Sequence, residues 1–132
     1  MEHPYHKFFG RLSAGPFEGK YRDASVVHDV ACEEKNQSWQ SVHRMFYEAS
    51  RLSGVRWLDA KVMYFAVYHF GPRWTPEPPR LLKTEDDFLR GREYIFRYDI
   101  DLPQIEGLTS EFLAREIPTV PPPRKIPPEA SK

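Results

Sequence analysis

A chain of 132 residues is long enough for one hydrophobic core and too short for two independent ones, so a single domain is expected. Its 19 Lys and Arg balance 19 Asp and Glu, which removes any overall field that would gather nucleic acid, an anionic membrane or an acidic substrate. With Cys32 as its one cysteine it has neither an intrachain disulfide framework nor a multi-cysteine zinc site.

The opening "MEHPYHKFFG" lacks a basic start followed by an apolar run, and no stretch approaches the about 20 apolar residues that span a bilayer. A soluble protein without a signal peptide or membrane span is therefore expected, either cytoplasmic or exported by a dedicated machine.

Gly10, Gly15, Pro16 and Gly19 break any periodicity over residues 1–22, which read as loop with room for a short strand, with Phe8, Phe9 and Phe17 lidding the core. Asp23 or Ser25 can cap a first helix over residues 26–34, whose apolar stripe is Val26, Val27, Val30 and Ala31. Ser38 opens a second, in which Trp39, Val42, Phe46 and Ala49 recur at spacings of three and four until Gly54 ends the run. A third, capped by Asp59, has almost no polar face over "DAKVMYFAVYHF" and reads as the central buried helix, stopped by Gly71 and Pro72.

"PRWTPEPPR" is proline-rich and extended. Thr84 and Asp87 form a capping box for a short helix to Leu89 or Arg90. In residues 94–102, Tyr94, Phe96, Tyr98, Ile100 and Leu102 alternate with Arg97, Asp99 and Asp101, the pattern of a half-exposed strand. Ser110 caps a last short helix to about Glu116, and residues 118–132 are too poor in apolar side chains and too rich in proline to fold. The expected fold is α+β: a mainly helical single domain over residues 1–117, with three packed helices and a small strand or hairpin component. A disordered proline-rich tail follows over residues 118–132.

The chemistry-bearing stretch is "DASVVHDVAC". Side chains on a helix diverge by about 100° per residue, so His28 and Asp29 lean to adjacent sides of one edge, with Cys32 a turn beyond. A histidine base usually takes its partner from another helix, and His43 is the best candidate because the second helix should fold back on the first. Asp23, His28, Asp29 and His43 together have the imidazole and carboxylate composition of a divalent-metal site, zinc or calcium. The same cluster could equally hold a water against a histidine base.

The competing reading is structural. In it His28 bonds a backbone carbonyl, Asp29 pairs with an arginine, His43 sits at the core edge near Trp39 and Phe46, and Cys32 fills space as a small apolar group. His3, His6 and His69 share no ligand spacing and read as surface or packing residues. The glycines of "FGRLSAGPFEG" match no phosphate loop. Tyr64, Tyr68, Arg73 and Trp74 could stack on a sugar or base but fit the rim of the third helix better, and the "PPPR" tail could enter a partner's aromatic groove.

"YRDASVVHDVAC", "VHRMFYEASRLSGV" and "KVMYFAVYHFG" resemble, in order and spacing, the phage and bacterial family catalogued as domain of unknown function 1353. The matching positions are Asp23, Ala24, Ser25, His28, Asp29, Phe46, Tyr64, Ala66, Val67, Phe70 and Gly71. Where the family usually has an Asp on the second helix this chain has His43, and where an aromatic commonly follows the His-Asp pair it has Cys32. The His-Asp helix with its following helix also looks like the catalytic pair of phospholipases of the A-two type, without their disulfides or calcium loop.

The resemblance implies a phage or secretion context but carries over no activity; the function expected from the residue cluster itself is a His-Asp-centred, metal-dependent or metal-free hydrolase acting on a bacterial envelope component, cell-wall peptide or phospholipid. His28 would be base or ligand, Asp23 and Asp29 ligands or water-orienting groups, and His43 a second ligand or orienter. The alternative is a non-enzymatic phage-structural or adaptor module that binds a protein partner through its aromatic surface and proline-rich tail.

Overall fold

A helix without a polar face must be enclosed by its neighbours, and the chain is arranged around one. The computed structural model describes residues 18–74 and 77–122, the side chains of residues 18–22 excepted. Among the described residues there are six α-helices: α1 (Glu18–Glu34), α2 (Trp39–Leu52), α3 (Trp57–Phe70), α4 (Glu85–Tyr98), α5 (Leu102–Glu106) and α6 (Ser110–Glu116). The enclosed helix is α3, in which Ala60, Val62, Met63, Tyr64, Phe65, Ala66, Val67, His69 and Phe70 are all buried. It lies between α2 and α4 and touches α5, while α1 packs outside α2 and α6 outside α4. Phe46, Phe88, Ile95, Ile105 and Leu113 close the core around it from the other helices.

Local chemistry sets the helix ends. Ser38 caps α2, its hydroxyl accepting from the Ser41 amide at 3.1 Å. The Thr84–Asp87 capping box starts α4 as the sequence suggests. Asp87 also accepts from the Lys83 amide at 3.0 Å and the Ser110 hydroxyl at 2.9 Å, tying the start of α4 to that of α6. Burial would raise this carboxyl, but those hydrogen bonds outweigh it and hold Asp87 below its ordinary value.

Residues 94–102 form no strand, and no strand exists among the described residues, so the expected α+β class gives way to an all-helical fold. The alternation of Tyr94, Phe96 and Tyr98 masks a helical stripe: Phe88, Leu89, Arg92 and Ile95, at spacings of three and four, are the buried side of α4, whereas Tyr98 is exposed. Glu93 and Arg97 pair one turn apart at 2.8 Å, and Asp99 ends the helix in the left-handed region at φ 47°. A second capping box, Asp101 with Gln104, then opens α5.

Other boundaries shift as well. α1 begins at Glu18, two turns before the expected start, and Val26, Val27 and Val30 point outward, about half exposed, instead of forming its buried stripe. Arg56, not Asp59, precedes α3, and Thr109, not Ser110, caps α6. His69, expected at the surface or in packing, is fully buried and donates from Nε2 to the Ile105 carbonyl at 2.7 Å. Residues 118–122 belong to the segment expected to be unfolded, yet they run along α4, with Arg90 donating to the Pro118 carbonyl at 3.5 Å, Arg92 to the Pro122 carbonyl at 3.4 Å, and Val120 packed on the core. The loop and strand expected over residues 1–17, and the tail beyond 122, lie outside the described residues.

Gly91 is where α4 crosses α3: a Cβ there would stand 2.1 Å from Cζ of Phe65. That ring is itself held by Phe70, Phe88 and His69. Gly91→Ala should therefore destabilise the protein by about 1–2 kcal/mol, overpacking outweighing the gain in helix propensity. Chemical denaturation would show this as a lower midpoint at unchanged slope, and a midpoint at or above wild type would show that the crossing can open.

Candidate functional site

α1 and α2 are joined by a short turn in which Lys35 takes the left-handed conformation at φ 57°, so α2 folds back along α1. Ala24 and His28, four residues apart, form the buried line of α1, and Cys32 continues it half-buried. α2 answers with Trp39, Val42, His43 and Phe46. His28 Nε2 meets His43 Nδ1 at 2.8 Å, with both side chains wholly buried. The His28 ring lies against Phe46 at 4.8 Å between centroids, and Trp39 flanks His43 at 6.0 Å.

The third contributor is the chain leaving α3. His43 Nε2 lies 2.8 Å from the Pro72 carbonyl oxygen. That stretch is pinned on both sides: Arg80 donates to the His69 and Gly71 carbonyls, each at 2.7 Å, satisfying the carboxyl end of α3. Arg73 donates to the Tyr68 carbonyl at 2.9 Å and stacks 4.1 Å over the Trp39 ring, while Trp74 donates to the Gln37 carbonyl at 2.8 Å.

A carbonyl only accepts, so we assign the proton on His43 to Nε2. Neutral His43 then accepts at Nδ1 from the His28 Nε2–H, which leaves the lone pair of His28 on Nδ1. That nitrogen is 3.9 Å from Asp29 Oδ1, on a side chain two-thirds exposed, and 4.0 Å from Cys32 Sγ. The thiol also approaches His28 Nε2 at 3.5 Å. The cluster thus runs from solvent inward: Asp29 and Cys32, then His28, then His43, then a main-chain carbonyl.

Burial keeps the two imidazoles and the thiol uncharged. It depresses both imidazoles well below their ordinary 6.5, and for His43 the neighbouring His28 adds to the effect while the Pro72 hydrogen bond opposes it. Burial, aided by the Asp29 carboxylate, pushes the Cys32 thiol up to about 12.

Of the residues the sequence singled out, His28, Asp29 and His43 are brought together, although Asp29 stands at the rim. Asp23 is exposed and, five residues before His28, is turned about 140° away around α1. Cys32 sits in the cluster, and its spacing of four from His28 was the available signal. The Pro72 carbonyl leaves no sequence signal. Tyr64 belongs elsewhere: it and Arg44 both donate to Glu106, at 2.5 and 2.7 Å, and Arg44 and Glu106 line an open depression of about 490 Å³ on α2.

Fold and site together define an all-helical domain whose candidate chemistry meets at one buried contact between two consecutive helices. Residues 7–67, a span that includes both histidines of that contact, match the family described as "Protein of unknown function (DUF1353)". The chain is similar to "Uncharacterized protein y4jT" of Sinorhizobium fredii (strain NBRC 101917 / NGR234), 48% identical over 69 residues that make up 52% of this chain and 20% of that protein. It is also similar to "Uncharacterized protein y4iH" of the same organism, 42% identical over 59 residues, 45% of this chain and 25% of that one. The chain therefore spans a quarter or less of the length of these curated relatives. No solved structure matches it. The likeness to phospholipases of the A-two type finds no support in these comparisons. No helix among the described residues is long and apolar enough to cross a membrane.

Three buried histidines make stability depend on pH. His28 and His69 have folded values near 4, and His43 is also depressed, against 6.5 in the unfolded chain. Between those values the unfolded state binds the extra protons. Stability should be intact above about pH 6.5 and fall as pH drops toward 4, by at most about 1 kcal/mol per pH unit for each histidine. Denaturation midpoints measured from pH 7 to 4 would show the decline, and a flat profile would mean that the imidazoles are already hydrated.

Proposed function

We propose that the domain is a histidine-centred hydrolase, with a bacterial envelope component, cell-wall peptide or phospholipid, as its substrate class. The observation that carries this reading is the 2.8 Å contact of His28 Nε2 with His43 Nδ1, backed by the Pro72 carbonyl. A base held in one tautomer by a second group, itself oriented by a third, is the arrangement that general base catalysis needs. His28 Nδ1 takes the proton of a water that Asp29 orients at the rim. As the imidazolium forms, its Nε2–H bond to His43 becomes charge-assisted and strengthens, and the Asp29 carboxylate at 3.9 Å offsets the new charge. Burial keeps His28 unprotonated at neutral pH at the cost of some basicity.

His28→Ala should lower turnover by about 10²- to 10⁴-fold. The measurement is release of fatty acid from phospholipid vesicles, or of new amino groups from cell-wall peptide, by wild type and by a variant whose helicity is unchanged in circular dichroism. Equal rates in the two proteins, or no turnover of either substrate, would end this reading.

One observation favours the alternative, a protein-binding adaptor module. Val26, Val27 and Val30 present apolar surface on the outside of α1, while both imidazoles are fully buried. In that case the histidine pair serves only to dock α1 on α2, and His28→Ala changes stability without any activity to lose.

A further inference from the structure

We propose that His28 Nε2, Cys32 Sγ and His43 Nδ1 bind one transition-metal ion of the zinc class, with a fourth coordination position left open.

The three donor atoms lie within 4.8 Å of one another, two from residues one turn apart on α1 and one from α2. Tetrahedral zinc bonded to nitrogen at about 2.05 Å and to sulfur at about 2.3 Å needs donor separations of about 3.35 Å between nitrogens and about 3.55 Å from nitrogen to sulfur. The sulfur to His28 Nε2 separation, 3.5 Å, already matches. The His28 Nε2 to His43 Nδ1 separation, 2.8 Å, suits a shared proton and must open by about half an ångström to admit an ion.

What surrounds the donors fits the same purpose. A metal-bound imidazole usually gives its other N–H to a carbonyl or carboxylate. His43 Nε2–H already donates to the Pro72 carbonyl, and His28 Nδ1, carrying the proton once Nε2 is a ligand, faces Asp29 Oδ1 at 3.9 Å. The donor set excludes calcium, which takes six to eight oxygens; one thiolate and two imidazoles suit zinc and its transition-metal neighbours such as copper. Asp29 is thus an orienting group and Asp23 takes no part, unlike the carboxylate-rich set that the sequence suggests. Cys32 and Asp29 lie on the solvent side, where the fourth position opens.

This inference does not depend on turnover, and it excludes the base mechanism in the metal-loaded protein: with Nε2 on the ion, His28 Nδ1 carries a proton and cannot take one from water. The test uses the full chain without a histidine tag, stripped by a chelator and titrated with cobalt and then with zinc against a chromogenic chelator. One ion per chain is expected, with a thiolate-to-cobalt charge-transfer band. Asp29→Asn should weaken zinc binding about 10- to 100-fold. Cys32→Ser, at a half-buried position and checked for unchanged helicity by circular dichroism, should abolish the band and weaken zinc by more than Asp29→Asn does. His43→Gln should match it if circular dichroism shows it folded. No stoichiometric binding, or affinity unchanged in Cys32→Ser, would overturn the site. Metal binding without turnover of any substrate would leave the site standing and end the hydrolase reading. Turnover by protein that binds no metal would do the reverse.

Discussion

A hydrogen bond between two uncharged imidazoles decides how the first helix attaches to the rest. Over residues 23–34 the fully buried side chains of α1 are Ala24 and His28 alone, and its three valines face outward. Apolar burial is therefore a small part of what holds this stretch in place. An imidazole taken out of water without a partner costs more than a typical hydrogen bond contributes, so α1 can sit where it does only if His28 is answered. His43 answers it, and is answered in turn by Pro72. Packing of the first two helices thus depends on where the third one ends.

That end is unusually well fixed. α3 is apolar on nearly every side, and the ring of Phe65 fills the space that a side chain at residue 91 would occupy. Its carboxyl end is satisfied by one guanidinium, Arg80, reaching two carbonyls at once, and the next residues are held by Arg73 and Trp74. Rigidity at the Pro72 carbonyl is inherited from the core, which lets a group on an irregular segment orient a side chain as firmly as a helical residue would.

Much of this was legible in the sequence where one physical signal dominated. The period of Trp39, Val42 and Phe46, the continuous apolar face of α3 and the capping box at Thr84 each name their element without help from the rest of the chain. The misreadings come from segments where two signals competed. Residues 94–98 carry aromatics at alternate positions, but these are the half-exposed flanks of a helix whose inner stripe includes Arg92 and starts well upstream, at Phe88. On α1 three valines outweighed Ala24 and His28 in any hydropathy count, although the small residue and the polar one are those that α2 accommodates. The facing of His28 and His43 follows from helix geometry and a short turn. The place of Cys32 follows from its spacing, once one asks which residue shares the buried line. The Pro72 carbonyl could not be read at all, because every residue has one.

That last group gives the histidine pair an uncommon kind of robustness. An orienting carboxylate can be lost through a single codon, but a main-chain oxygen survives any replacement of the side chain that carries it. The protonation pattern of the pair is therefore written into the path of the backbone, and what rewrites it is a shift of the segment between Gly71 and Arg80. A relative could change the side chain at residue 72 and keep the same pattern while Arg73, Trp74 and Arg80 still hold the segment, whereas a one-residue insertion there would erase it with both histidines intact.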